Sequence, residues 1–151
     1  MPTTFLANPA FVVFAGAMLV LCLNILGLWG YSGAVRGRTK TTPNPEDAKT
    51  VARGASVVAA DPPEVARVLR AHRNAADNIL PFGILAFLYV LAGATPLMTA
   101  VLCGIFVAAR IGHSFAYLGE KQPWRTLLFV VGGVDTLVLA GLLAKTLVTA
   151  A

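Results

Sequence analysis

Five polar residues recur at helical spacing between positions 67 and 77: Arg67, Arg70, Arg73, Asn74 and Asp77. At about 100° per residue, Asp77 falls about 20° to one side of Arg70 and Asn74 about 40° to the other, while Arg67 and Arg73 flank the set at about 60°. The five form one stripe, and His72 points away from it. Arginine grips carboxylates with a two-pronged donor geometry, and a carboxylate such as Asp77 can take an ammonium group. A stripe of this kind can hold a zwitterionic ligand. The plainer reading is a basic flank at a membrane surface with an intrahelical Arg73–Asp77 pair. Asp77 weighs against it, because a carboxylate adds nothing to basic anchoring and sits a turn deeper. Ionisable groups at that depth are functional candidates by default.

A second set lies further along. Arg110, His113 and Tyr117 are spaced i, i+3, i+7 and share a helix face. Arg125 and Thr126 open the next apolar stretch at the same level; Thr126 also reads as a helix cap. Asn24 and Asp135 sit deeper, inside apolar runs. A carboxylate there is costly without a partner, so Asp135 is expected to hydrogen-bond another helix, with Asn24 the candidate. A place in a proton pathway is the alternative.

The elements that carry these residues follow from composition. Of 151 residues, 57% are hydrophobic and only 13% charged, with mean hydropathy +0.74. A soluble domain carries about 25% charged residues. The apolar runs predict one membrane domain over 1–151, with helices at about 9–34, 62–92, 97–118 and 124–148 and a loop at about 36–61. Each run reaches the roughly 20 apolar residues needed to cross a bilayer. The first run has no basic leader region and is expected to be retained. The connections at 93–96 and 119–123 are short enough to force antiparallel neighbours. For the second helix, Asp61 is the expected N-cap, Pro62 the first helical residue and Glu64 the partner in a capping box. From Pro62 to Ala92 that helix measures roughly 45 Å, against a hydrocarbon core of about 30 Å. Its first turns, which carry the stripe, must project beyond the core.

Net charge is +5 and the isoelectric point about 9.7. The basic residues do not form a soluble face interleaved with aromatics, so nucleic acid is not an expected partner. Arg36, Arg38, Lys40, Lys49 and Arg53 lie in the first loop, and Lys121 and Arg125 around the third, while the N-terminus and the 93–96 turn have none. The basic loops are therefore expected on the cytoplasmic side and both termini opposite; Lys145 is the exception. Cys22 and Cys103 lie in apolar runs and are expected to be unpaired core residues. No metal-ligand spacing, phosphate loop or dinucleotide fingerprint is present.

Four segments, RVLRAHRNAADNILPF, NPEDA, RIGHSFAYLG and PWRT, resemble in order and spacing the MAPEG family, the membrane-associated proteins in eicosanoid and glutathione metabolism. The likeness is greatest to the branch of microsomal glutathione transferases and microsomal prostaglandin E synthases. It implies an all-α integral membrane protein, a left-handed four-helix bundle assembled as a homotrimer, with glutathione bound between subunits near the cytoplasmic face. Carried over by position, Arg70, Arg73, Asn74 and Asp77 would hold the tripeptide, with His113 and Tyr117 from the third helix and Arg110 nearby. Arg36 would reach in from the neighbouring subunit. Arg125 would be the catalytic arginine beside the sulfur, Thr126 would stand in the place of a serine that touches the thiol, and Asp47 of NPEDA would match an acidic residue that assists. The second substrate would be a lipophilic molecule entering from the bilayer.

Two departures stand out. Asp77 is one methylene shorter than the glutamate of the family pattern. Phe129 stands where the prostaglandin branch has a tyrosine, which with Thr126 weighs against prostaglandin isomerisation and leaves glutathione chemistry in place. The chemistry suits the residues: glutathione has two carboxylates, an ammonium and a thiol whose free pKa is about 8.5, and a guanidinium beside the sulfur lowers that value. Four functions follow as expectations. The leading one is a glutathione transferase, with peroxidase activity toward lipid hydroperoxides. The others are a non-catalytic lipid-binding protein, a glutathione-dependent prostaglandin-type isomerase and a small transporter using Asp135.

Overall fold

The computed structural model describes residues 5–150. After a single 3₁₀ turn (Phe5–Ala7) come α1 (Pro9–Thr39), β1 (Thr41–Thr42), a short α2 (Pro45–Lys49), β2 (Ser56–Val57), α3 (Pro63–Leu91), α4 (Pro96–Leu118) and α5 (Trp124–Ala150). The four long helices are each long and apolar enough to cross a membrane. They form an all-α four-helix bundle. Helices α3 and α4 lie at its centre and touch each other; α1 packs on both, α5 packs on both, and α1 and α5 do not meet.

Helix ends follow local chemistry. The Asn8 side chain accepts the Ala10 amide at 2.9 Å, with Pro9 at the first helical position. Thr95 caps α4 in the same way through the Met98 amide, again with a proline following. Both use groups that an uncapped helix leaves unsatisfied. Gly93, just past the end of α3, turns the chain toward α4 at φ +91°, a conformation natural to glycine.

Two expectations about the helix ends change. Helix α1 runs to Thr39, five residues past the sequence limit, because Arg36 and Arg38 continue the helix beyond the apolar run. Asp61 does not cap α3: the residue before the helix is Pro62, with no side-chain cap. Asp61 instead clasps Arg36, Oδ1 to Nη1 at 2.6 Å and Oδ2 to Nη2 at 3.0 Å. A charge-assisted hydrogen bond within an ion pair is stronger than a neutral cap bond. The first loop has only the local structure its composition allows, with β1 and β2 in parallel pairing across α2. Removing the clasp, as in Asp61→Ala, should cost about 1 kcal/mol or less, since the pair is partly exposed. Thermal unfolding in detergent will show a small shift that shrinks further as salt rises.

The core runs along the inner faces of α3 and α4. Phe82 and Phe106 stack face to face, centroids 3.7 Å apart, surrounded by Leu21, Ile79, Leu102 and Leu139. Gly83 lets α1 approach: a Cβ there would stand 2.8 Å from the Met18 methyl. Cys103 is buried in this core, whereas Cys22 is exposed on α1; both are free thiols. Only Cys103 is therefore the core residue expected, because α1 turns much of its apolar surface outward. The predicted Asn24–Asp135 pair does not form. Asn24 donates to Ser114 Oγ at 3.1 Å, joining α1 to α4. Asp135 is buried on α5, and its Oδ2 has no hydrogen-bond partner among the described residues.

Candidate functional site

The charged ends of all four long helices gather at one end of the bundle: the C-termini of α1 and α4 and the N-termini of α3 and α5. At this end a cavity of about 200 Å³ opens between α3, α4 and α5. Its walls are Asn74, His113, Tyr117, Arg125, Thr126 and Phe129. Five of these six are the sequence candidates from three separate segments, brought together by the mutual packing of α3, α4 and α5.

Neighbouring groups hold the wall residues of α4 and α5. The Arg125 guanidinium lies over the Tyr117 ring, 4.8 Å from its centroid. With its amide oxygen turned toward Arg125, Gln122 accepts from Arg125 Nη2 at 2.7 Å and Nε at 3.2 Å, and its amide nitrogen donates to Thr126 Oγ1 at 3.1 Å. Gln122 was not a sequence candidate; the signal available was its i, i+4 spacing to Thr126 beside a cation. Thr126 is the third residue of α5 and so is not its cap. The His113 ring sits between Tyr117 and Phe129, with centroids 5.7 and 6.0 Å away. His113 Nδ1 is 2.9 Å from the Arg125 carbonyl. A carbonyl only accepts, so Nδ1 carries the hydrogen and Nε2 of the neutral ring is an acceptor.

Two wall atoms lack partners. His113 Nε2 and Asn74 Oδ1 are buried acceptors with no hydrogen bond among the described residues. Buried polar atoms are normally satisfied, so these two await donors. No carboxylate lines the cavity. One guanidinium, two free acceptors and two hydroxyls suit a ligand that brings a negative charge together with N–H or S–H groups.

The remaining candidates lie elsewhere in the single chain. The α3 stripe divides. Arg67 pairs with Glu120 of the α4–α5 connection at 2.6 Å. Arg70 and Arg73 are exposed, and Arg73 makes no ion pair with Asp77 among the described residues. Asp77 faces a different groove, on the α1 side, with Met18, Cys22, Ile25 and Leu80. The wheel separates Asn74 and Asp77 by about 60°, enough for one to meet α4 and α5 and the other α1. Pro81, inside α3, lacks an N–H and so leaves the Asp77 carbonyl without its helical donor. Asp47 and Arg36 share a separate cavity of about 560 Å³ with Lys40 and Arg53, at the end of α1. Asp47 accepts there from Asn44 Nδ2 at 2.9 Å. Arg110 does not line the Arg125 cavity; it is buried between α4 and α5.

Fold and site together define a polytopic α-helical membrane protein with a polar, arginine-marked cavity at the charged end of its bundle. Comparison with known proteins gives the family. The MAPEG family model matches residues 14–145. Human prostaglandin E synthase is 34% identical over 126 residues, covering 83% of this chain and 80% of that protein. The rat prostaglandin E synthase is 38% identical over 109 residues, 69% of this chain and 70% of the relative. Human microsomal glutathione S-transferase 1 is 34% identical over 146 residues, 95% and 94% of the two chains. The chain belongs to the MAPEG family, and it is an integral membrane protein.

Proposed function

We propose that this protein is a membrane glutathione transferase that presents the glutathione thiolate to a lipophilic electrophile arriving from the bilayer, with glutathione-dependent reduction of lipid hydroperoxides as a second activity. The observation that carries the reading is the Arg125 guanidinium, held by Gln122 and Tyr117 on the wall of a cavity that also holds His113, Asn74 and Thr126. A fixed cation beside a thiol favours its ionised, nucleophilic form, and the start of α5 adds its positive dipole end. The two unsatisfied acceptors, His113 Nε2 and Asn74 Oδ1, suit the peptide N–H groups of a small peptide. Relatives named for glutathione transfer and for prostaglandin E synthesis support an enzyme of this kind.

In this reading the charged end is cytoplasmic, and the active unit is a homotrimer. Arg70, Arg73 and Asp77, exposed in the single chain, then face glutathione across a subunit boundary. Arg36 and Asp47 reach that site from the neighbour. Arg110 acts from behind the cavity wall. Binding both substrates in one site supplies proximity, and Arg125 supplies nucleophile activation. The prostaglandin E synthase relatives favour a second reading, isomerisation of a lipid endoperoxide with glutathione as cofactor.

The test is turnover by purified protein in detergent. Conjugation of glutathione to an apolar aryl halide is expected, along with slower reduction of a fatty-acid hydroperoxide. Isomerisation of an endoperoxide without either activity would move the assignment to the second reading. Absence of all three would remove the enzyme assignment.

A further inference from the structure

We infer that Arg110 is a positioning residue for this site: it holds the first turns of α5 by their backbone and so aims Arg125 and Phe129 into the cavity, without touching the ligand. The inference rests on Arg125 being the group that acts on the thiol.

Arg110 is 1% exposed and lies on α4 facing α5. Its Nη2 donates to the carbonyls of Leu128 at 3.1 Å and Phe129 at 3.0 Å. One turn along α4, His113 Nδ1 donates to the carbonyl of Arg125. Helix α4 thus grips α5 through carbonyls at 125, 128 and 129, within the first two turns of α5. Between helices in lipid, apolar surface gives little preference for one rotation over another, and polar contacts and close packing decide it. These bonds set the rotation of α5 at the level of the cavity, and with it the direction of Arg125.

The seat is specific. Gly132 lies against the guanidinium, where a Cβ would come within 2.3 Å of Nη2 and 2.7 Å of Nε, whereas a Cβ on neighbouring Gly133 meets nothing within 4 Å. The Phe106 and Phe129 rings flank the cation at 5.4 and 5.6 Å, and Phe129 is itself a cavity wall. Arg110 therefore fixes both the backbone and the ring of that residue.

The energetics exclude simple stability as the reason for a cation here. Burying an ion carries a heavy desolvation penalty, and Arg110 has no ion pair among the described residues. Asp135, the one buried carboxylate among them, is not bonded to it. A methionine would fill the space more cheaply. What it would lose is reach to two adjacent carbonyls from one planar group that also packs between two rings.

The experiment compares wild type, Arg110→Met, Arg110→Lys, Arg125→Ala and the double variant Arg110→Met/Arg125→Ala. Hydrogen exchange reads the α5 grip without any ligand. Calorimetry with S-methyl glutathione reads binding without a thiol. The ultraviolet thiolate signal of bound glutathione against pH, together with kcat, reads the aim of Arg125. For Arg110→Met we expect exchange at residues 125–131 to rise about tenfold with α3 unchanged, and S-methyl glutathione affinity within about threefold of wild type. Its kcat should fall about 10- to 100-fold, the range for a misplaced catalytic group. The thiolate titration should move to higher pH, toward that of Arg125→Ala, and the double variant should be no slower than Arg125→Ala alone. Arg110→Lys should show the same changes in smaller measure, and it carries the test if the methionine variant does not fold.

Unchanged exchange and titration, or loss of S-methyl glutathione binding with kcat preserved, overturns the positioning role. A lysine variant identical to wild type in titration and kcat also overturns it. If wild type itself neither binds S-methyl glutathione nor gives a thiolate signal, the glutathione reading fails. The exchange data then still decide whether Arg110 holds α5.

Discussion

Arg125→Ala should lower kcat/KM for glutathione conjugation about 10²- to 10³-fold, the usual effect of removing one preorganised group that stabilises a reacting anion. The protein should stay folded, because Arg125 is partly exposed at the start of α5 and its contacts are to Gln122 and the Tyr117 face. The deficit has a defined pH dependence. A cation beside the sulfur favours the anion, so its removal raises the pKa of the bound thiol. The loss is therefore largest near neutral pH and shrinks as pH rises through the free-thiol value of about 8.5. Arg125→Lys should recover part of the rate, since it restores charge but not the planar donor set that Gln122 holds. Steady-state rates for the three proteins between pH 6 and 9 check this. A uniform deficit at every pH would show that Arg125 serves substrate placement instead of thiol ionisation.

Gly132→Ala should be the most damaging conservative change in α5. In an ordinary helix, glycine to alanine is stabilising by roughly 0.5–1 kcal/mol. At Gly132 the new methyl overlaps the buried Arg110 guanidinium, at 2.3 Å from Nη2. The arginine cannot swing away, because the Phe106 and Phe129 rings flank it and two carbonyls hold it. Overpacking of this kind costs about 1–3 kcal/mol, and α5 must shift, taking Arg125 with it. Melting temperature in detergent and conjugation rate should fall together. Gly133→Ala is the control: nothing stands within 4 Å of its Cβ, so it should be neutral or slightly stabilising. Arg110→Met combined with Gly132→Ala should regain stability over Gly132→Ala alone, since the clash is with the guanidinium, but should not regain full activity.

Much of the architecture was legible in the sequence because hydrophobic length and short polar turns dictate it. Four apolar runs gave four long helices, and the 93–96 and 119–123 connections allowed only antiparallel neighbours. The α4 and α5 candidates His113, Tyr117, Arg125 and Thr126 also converge as their common level suggests, joined by Asn74 from α3. What a helical wheel cannot supply is which neighbour each side of a helix meets. Asn74 and Asp77 share a stripe, yet one faces α4 and α5 and the other α1. Arg110 shares a face with His113, but a glycine on α5 admits it to the interior. That glycine was visible as one of the pair Gly132–Gly133 in an apolar helix, and small residues in membrane helices mark close approach. For Asp61 a local cap competes with an arginine 25 residues away, and only the folded chain decides between them.

In the proposed function, the cavity around Arg125 binds glutathione and ionises its thiol. Titrating glutathione into the purified wild-type protein at pH 7, with ultraviolet absorbance read for the thiolate, tests it most directly. The expected result is a saturable thiolate signal that S-methyl glutathione does not give and that Arg125→Ala abolishes at the same pH. Saturable binding with no thiolate, or a signal that survives intact in Arg125→Ala, would contradict it.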